Sequence, residues 1–162
     1  MIESSPMLRK VQPEKSQSSD GTFAIVASRY NARYVDAMVR AAKAELWQAE
    51  VSRIQILRVP SAFEIPVVVK RLARTVPGLS AIIFLGVILR GETVHAAHIG
   101  DTVSRALMEI QLAYEIPVIH EVLLLENESQ AEARCLDVRH NRGTEAEQTA
   151  LAMVHVLKKM QG

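Results

Sequence analysis

Cysteine is nearly missing from this 162-residue chain: Cys135 stands alone, so no internal disulfide can form, and a reducing compartment is expected. An excess of one charge is missing too. Nineteen basic residues against eighteen acidic give a formal net charge of +1, which offers nucleic acid or an anionic membrane surface no electrostatic hold. No apolar run approaches the roughly 20 residues that span a bilayer. The first residues carry no basic patch followed by an apolar signal core, and a cytoplasmic setting is expected. Aromatic residues are scarce, at 4%. What is plentiful is apolar surface: hydrophobic residues reach 49%, enough for one globular domain of this length to bury a core.

Residues 1–20 differ in character from the rest of the chain. They hold five serines, two prolines and balanced charge without apolar periodicity, and are expected to form a flexible tail. Residues 21–162 alternate regularly, as a single α/β domain. Phe23 to Ala27 is a continuous apolar run, the pattern of a strand covered on both faces. Val35, Met38, Val39, Ala42 and Leu46 recur at three- and four-residue spacing and predict an amphipathic helix. Ile54 to Val59 predicts a second strand, and Ile65 to Leu72 a helix with Pro66 in its first turn, where proline is tolerated. Ala81 to Leu89 is a third strand, and Ile99, Val103, Ala106, Leu107 and Ile110 mark a third helix. Pro117 to Leu125 supplies a fourth strand and Ser129 to Cys135 a short helix. A final helix runs from about Thr144 to Met160, with Lys158 and Lys159 favourably placed at its end. This alternation predicts a three-layer αβα sandwich around a four-stranded parallel sheet, with flavodoxin-like doubly wound topology.

In such a sheet a ligand binds beyond the carboxyl ends of the strands. Three loops there are polar: Ser28-Arg29-Tyr30-Asn31, Pro60-Ser61-Ala62-Phe63-Glu64, and Gly86 through His95. Gly91 permits a tight turn in the third. The free N–H groups at the start of the next helix, with the Thr93 hydroxyl, make a natural anion site. Arg90, Arg134, Arg139 and Arg142 are candidate phosphate partners, because a guanidinium grips phosphate with two parallel hydrogen bonds. His95 is a candidate for proton transfer, or a simple partner for the helix end. His95 and His98 share a helical face, but no carboxylate or cysteine at matching spacing completes a metal site, and none is expected. On these residues alone the chain reads as an α/β domain that binds a small anionic ligand.

Four segments in order carry a family resemblance. Ser-Arg-Tyr-Asn (28–31), Val-Pro-Ser-Ala-Phe-Glu-Ile-Pro (59–66), Gly-x-x-x-Arg-Gly-x-Thr-x-His (86–95) and Gln130…Arg134…Asn141-Arg142-Gly143 resemble lumazine synthase, collinearly from about residue 22 to the C-terminus. Members of that family condense 5-amino-6-(D-ribitylamino)uracil with 3,4-dihydroxy-2-butanone 4-phosphate. The product is 6,7-dimethyl-8-ribityllumazine, the precursor of riboflavin, and no metal or organic cofactor takes part. The resemblance implies that Tyr30 stacks on the pyrimidine ring and that Ala62, Phe63 and Glu64 meet the uracil and ribityl side. It implies that the backbone of Val87, Ile88 and Leu89 reads the polar edge of the uracil. Glu92, Thr93 and Arg134 would hold the phosphate, with Arg142 supporting it from a position where the family commonly has lysine. His95 would shuttle protons.

The same resemblance implies a homopentamer, or twelve pentamers in a hollow shell, with small molecules as its only other partners. The active site would lie between subunits, His120 and Arg134 of one chain facing Tyr30, Glu64 and His95 of the next. The scarce aromatics Tyr30 and Phe63 then stand where a shared ring pocket needs them.

Several positions depart from the family pattern. Ser61 replaces the usual glycine, which requires only that φ is not positive there. Ala96-Ala97-His98 replaces an aromatic–acidic–aromatic run, so the carboxylate that would orient His95 is missing. His120 stands where a phenylalanine usually packs on the bound ring, and Leu124 and Leu125 replace more polar residues. Leu136 and His140 occupy positions that are often glycine in shell-forming members. The competing reading is a diverged, non-catalytic relative that binds a ribityl compound or flavin, or acts as an assembly subunit. A flavodoxin-like electron carrier is weaker, since the first loop lacks a hydroxyl-rich phosphate cradle.

Overall fold

In the computed structural model, which describes residues 21–91 and 94–162, four strands form one parallel sheet in the order β2-β1-β3-β4. The strands are β1 (Thr22–Ser28), β2 (Arg53–Val59), β3 (Leu79–Leu89) and β4 (Val118–Leu125). The two most continuously apolar strands take the centre, and every residue of β1 is buried. Their side chains divide by alternation, as a pleated strand requires. Phe23, Ile25, Ala27, Ala81, Ile83 and Leu85 face one layer, while Ala24, Val26, Ile82 and Phe84 face the other. A sheet buried on both sides needs no polar face, which is why these strands read as unbroken apolar runs.

Five helices cover the two faces. Helices α1 (Ala32–Gln48), α4 (Glu128–Cys135) and α5 (Arg142–Met160) pack on one side; α2 (Ile65–Thr75) and α3 (His95–Tyr114) pack on the other. The stripe Val35, Met38, Val39, Ala42 and Leu46 of α1 is buried as its spacing predicts. Each large side chain in these layers, Met38 and Leu46 included, contributes roughly 1.5–3 kcal/mol by leaving water. The approach of α1 to α5 depends on Gly143, because a Cβ there would run into the carbonyl group of Met38. The three-layer αβα sandwich and its parallel sheet are as expected from the sequence. The elements are mostly longer than their apolar cores: β3 begins at Leu79 and α3 at His95, ahead of Ile99. One element is new, a 3-10 turn at Ala62–Glu64 in what reads as a loop.

β4 is an edge strand, and side chains cap several of its amides. Gln111 Oε1 accepts from the Val118 N–H at 2.8 Å, and His120 Nδ1 accepts from the Val122 N–H at 3.3 Å. Just past the strand, Gln130 Oε1 accepts from the Glu126 N–H at 2.9 Å. No described helix is long and apolar enough to cross a membrane.

Candidate active site

The strand order changes direction between β1 and β3, and in open α/β sheets the carboxyl ends of the strands at such a switch point are where a ligand crevice forms. Three short contacts tie the loops there into one rim. The Arg29 N–H donates to the Val59 carbonyl at 2.8 Å, and the Tyr30 N–H to the Pro60 carbonyl at 3.2 Å, joining the first loop to the second. The Asn31 side chain then donates to the Val87 carbonyl at 2.7 Å, joining the first loop to β3. Asn31 sits at φ 56°, in the left-handed region that asparagine tolerates better than most residues. This bend starts α1 and aims the amide across the crevice. One consequence falls on Val87, whose carbonyl is already engaged by Asn31.

The loop after β2 is built by a capping box. Ser61 is extended, at φ −140°, so the serine fits without strain where a left-handed glycine is not needed. Its N–H and hydroxyl donate to Glu64 Oε2 at 2.9 and 2.6 Å, and its Oγ accepts from the Phe63 N–H at 3.3 Å. The Ser61 hydroxyl is the main reason the Glu64 carboxyl lies below its ordinary range, against a small opposing cost of burial. Glu64 is therefore an ionised acceptor at neutral pH, held in one rotamer, with lone pairs left for hydroxyl donors. Ala62 is buried against the sheet, while Phe63 and Tyr30 are 57% and 71% exposed. Two large rings therefore stand exposed on neighbouring loops at this end of the sheet.

Ile88 and Leu89, at the end of β3, are half-buried at the same rim. Beyond them the Arg90 N–H donates to the Leu125 carbonyl at 2.7 Å, and the Arg90 guanidinium pairs with Glu126 at 3.0 Å. Gly91 is not in the left-handed region, and a Cβ there would meet nothing within 4 Å, so a turn only glycine can make is not found. Glu92 and Thr93 lie outside the described residues, as does the tail at residues 1–20. His95 opens α3 and is exposed, and no acidic residue stands in the helix's first turn. Among the described residues no hydrogen bond or ion pair orients its ring.

On the far edge of the sheet lies a separate open groove of about 320 Å³, lined by Leu123, Leu124, Leu125, Gln130, Arg134 and Arg142. Its floor is apolar and its two charges are guanidinium groups. They differ in what they already hold. Arg142 donates through Nε and Nη2 to both oxygens of Glu121, at 3.0 and 3.1 Å, and through Nη1 to Glu145 at 2.5 Å. Burial pushes the Glu121 carboxyl up, and the Arg142 charge pulls it back. Arg134 makes no ion pair among the described residues and is exposed, so it is the free cation of the groove. Arg139 is near Asp137, at 3.7 Å. Buried Cys135 has its thiol pushed up to about 11, by burial first and then by Glu121, which keeps it protonated and unreactive at neutral pH.

His120 lies on the α3 side of β4. Its Nε2 is 2.6 Å from Ser104 Oγ, and its ring centroid is 5.0 Å from that of Phe84 at an interplanar angle of 63°. Crowding by its neighbours lowers the imidazole below its ordinary range. One chain thus brings Tyr30, Ala62, Phe63, Glu64 and Val87–Leu89 to a common rim, with His95 at the start of the helix after β3. It leaves Arg134 and Arg142 in the groove beside β4, and His120 on that strand's other face. In the sequence Asn31 stands out only as part of the first loop's motif, and Ser104 and Glu121 do not stand out at all. Each acts through a partner at least sixteen positions away, which no local pattern reveals. No group of three or more His, Cys, Asp or Glu among the described residues is placed to hold a metal ion.

Comparison with known proteins gives these positions a context. A family profile described as 6,7-dimethyl-8-ribityllumazine synthase matches residues 20–158. The chain is similar to the 6,7-dimethyl-8-ribityllumazine synthase of Stenotrophomonas maltophilia strain R551-3, with 39% identity over 85% of this chain and 90% of that protein. It is also similar to the protein of the same name from Xanthomonas oryzae pv. oryzae strain PXO99A, with 39% identity over 84% of this chain and 89% of that one. Among solved structures, a de novo designed Rossmann fold protein aligns with a TM-score of 0.43 at 12% identity, covering 68% of this chain and 90% of that one. With nearly the whole described chain inside the profile and two-fifths of it identical to named members, the chain belongs to the 6,7-dimethyl-8-ribityllumazine synthase family.

Proposed function

We infer that this chain is a 6,7-dimethyl-8-ribityllumazine synthase of riboflavin biosynthesis. It condenses 5-amino-6-(D-ribitylamino)uracil with 3,4-dihydroxy-2-butanone 4-phosphate and releases phosphate and water. The observation that carries the reading is the rim joined by Asn31–Val87 and Tyr30–Pro60, which gathers the family's ring-facing positions at one crevice.

In this reading Tyr30 stacks on the pyrimidine, Phe63 and Ala62 flank it, and the Val87–Leu89 backbone meets its polar edge. Glu64 accepts from ribityl hydroxyls. Arg134 holds the phosphate, with Glu92 and Thr93 contributing from the loop before α3 and Arg142 at the groove wall. His95 takes a proton from the attacking amine and returns protons as water and phosphate leave, steps that suit an imidazole near neutral pH. Holding two reactants in register can supply about 7–11 kcal/mol, whereas general acid–base help supplies a factor of roughly 10²–10⁴. Positioning therefore dominates, and an imidazole without a carboxylate partner is sufficient for the smaller part.

The reading includes self-association as a pentamer or a larger shell. Its support is geometric: Glu64 follows β2 and the Arg134 groove flanks β4, so three strand spacings, about 14 Å, separate them across the sheet. A neighbouring copy bringing its β4 edge to this crevice closes that gap. The deciding experiment mixes purified protein with both substrates and follows lumazine absorbance. A rate above buffer is expected; a rate equal to buffer at saturating substrate, with tight flavin binding, selects the non-catalytic binder instead. Analytical ultracentrifugation tests the assembly, and a monomer at assay concentration would refute it.

A further inference from the structure

His120 is held by two partners of different kinds, and together they fix its chemistry. A neutral imidazole has one N–H and one lone pair. The Val122 amide can only donate, so Nδ1, 3.3 Å from it, carries the lone pair. The proton is therefore on Nε2, which donates to Ser104 Oγ at 2.6 Å. That direction is opposite to a serine nucleophile activated by histidine, where the ring must accept from the hydroxyl. Ser104 is a brace for the ring and not a nucleophile beside it.

The brace has a clear mechanical result. Phe84, the Val122 amide and Ser104 contact the ring from β3, β4 and α3, leaving its remaining surface open to solvent. We propose that Ser104 is a positioning residue for the lumazine-forming reaction, locking His120 so that its open face packs on the planar heterocycle bound by the neighbouring subunit. This rests on the proposed function, together with the resemblance's implication that position 120 faces the shared pocket. Phenylalanine needs no such brace, because its only requirement is packing. A histidine in the same place has a polar perimeter, and unless both nitrogens are satisfied the ring turns toward water.

Acid should undo the arrangement. Protonation of Nδ1 sets an N–H against the Val122 N–H, two donors face to face, and one contact must open. The groups facing the ring are Ser104, Phe84 and the Val122 amide. No charged side chain is among the influences on its proton affinity: burial lowers it, and a contact with the residue's own backbone opposes that. The brace is thus intact at neutral pH and lost on the acid side of the imidazole's titration.

Two readouts test this on the full-length protein. ¹⁵N-detected histidine spectra should show His120 as the Nε2–H tautomer, with its proton protected from exchange in wild type and exposed in Ser104→Ala. Kinetically, Ser104→Ala should raise KM for the uracil substrate about five- to tenfold, the worth of one hydrogen bond, with little change in kcat, and Ser104→Thr should restore it. His120→Phe should abolish any acid-side rise in that KM. A His120 that is protonated on Nδ1 in wild type, or unchanged in Ser104→Ala, overturns the brace. An altered spectrum with unchanged KM overturns its role in binding. The spectra need no turnover, so they decide the Ser104 contact even if the enzyme reading fails.

Discussion

Arg142 grips both carboxylate oxygens of Glu121, joining the start of α5 to the edge strand β4 through a two-pronged ion pair. The pair is unequal in exposure, with the Glu121 side chain 9% and the Arg142 side chain 31% accessible. Removing the arginine leaves a buried carboxylate without its two-pronged partner. Arg142→Ala is expected to destabilise the fold by about 2–3 kcal/mol in urea unfolding, while adding Glu121→Leu to that variant should recover more than half the loss. Losses that simply add would mean the pair carries no coupling.

Arg134 should behave differently, because no carboxylate among the described residues forms an ion pair with it, although its charge is felt at Glu121. Arg134→Ala is expected to raise KM for the butanone phosphate by roughly 10- to 100-fold, the usual worth of a charge-assisted bond, while KM for the uracil substrate moves little. Equal changes in both constants would place the phosphate elsewhere.

His95 has no orienting carboxylate in its helical turn. His95→Ala should therefore lower kcat by no more than about a hundredfold, the low end of general acid–base effects, and leave both KM values nearly unchanged. A loss beyond 10⁴ would show that proton transfer, and not positioning, dominates the rate.

Glu147 sits in α5, fully buried against α1, with neither carboxyl oxygen hydrogen-bonded among the described residues. Burial, reinforced by the charge of Glu45, pushes its carboxyl from 4.5 to about 9. Because the folded value is the higher one, the unfolded chain loses this proton first as pH rises. Stability is then unaffected by Glu147 below about pH 4.5 and declines from there toward pH 9. Glu147→Gln should match wild type at pH 4.5 and exceed it at pH 8 by roughly 2–4 kcal/mol in paired urea curves. Parallel curves at both pH values would contradict a buried, protonated carboxyl.

Ser61 holds Glu64 ionised through its hydroxyl. In Ser61→Ala the Glu64 titration, followed by carboxyl ¹³C shifts, should rise toward the ordinary glutamate range, and loss of the cap should cost about 1 kcal/mol. An unmoved titration would assign the depression to another group.

Much of the layout was legible because it is periodic. The apolar run of β1 and the spaced stripe of α1 follow from which faces are dry, and a sheet covered on both sides leaves little room for a different order of elements. The Ser61-x-x-Glu64 box was also local, yet the loop's residues gave no sign of the 3-10 turn that the box closes. What stayed hidden was contact across the chain: Asn31 to Val87, Ser104 to His120, Glu121 to Arg142. Glu147 illustrates the same limit from inside a helix. Its spacing puts it among Ala146, Ala150 and Val154, but nothing in the helix says that α1 closes over it without offering a hydrogen bond.

The capped amides of β4 bear on what happens when many copies crowd together. A growing fibril recruits strands by borrowing unpaired backbone donors from an exposed edge, stacking one chain on the next without limit. At Val118, Val122 and Glu126 those donors already belong to Gln111, His120 and Gln130. A copy approaching this edge meets side chains, whose fit is specific and whose geometry closes, and so finds a poor template for cross-β growth.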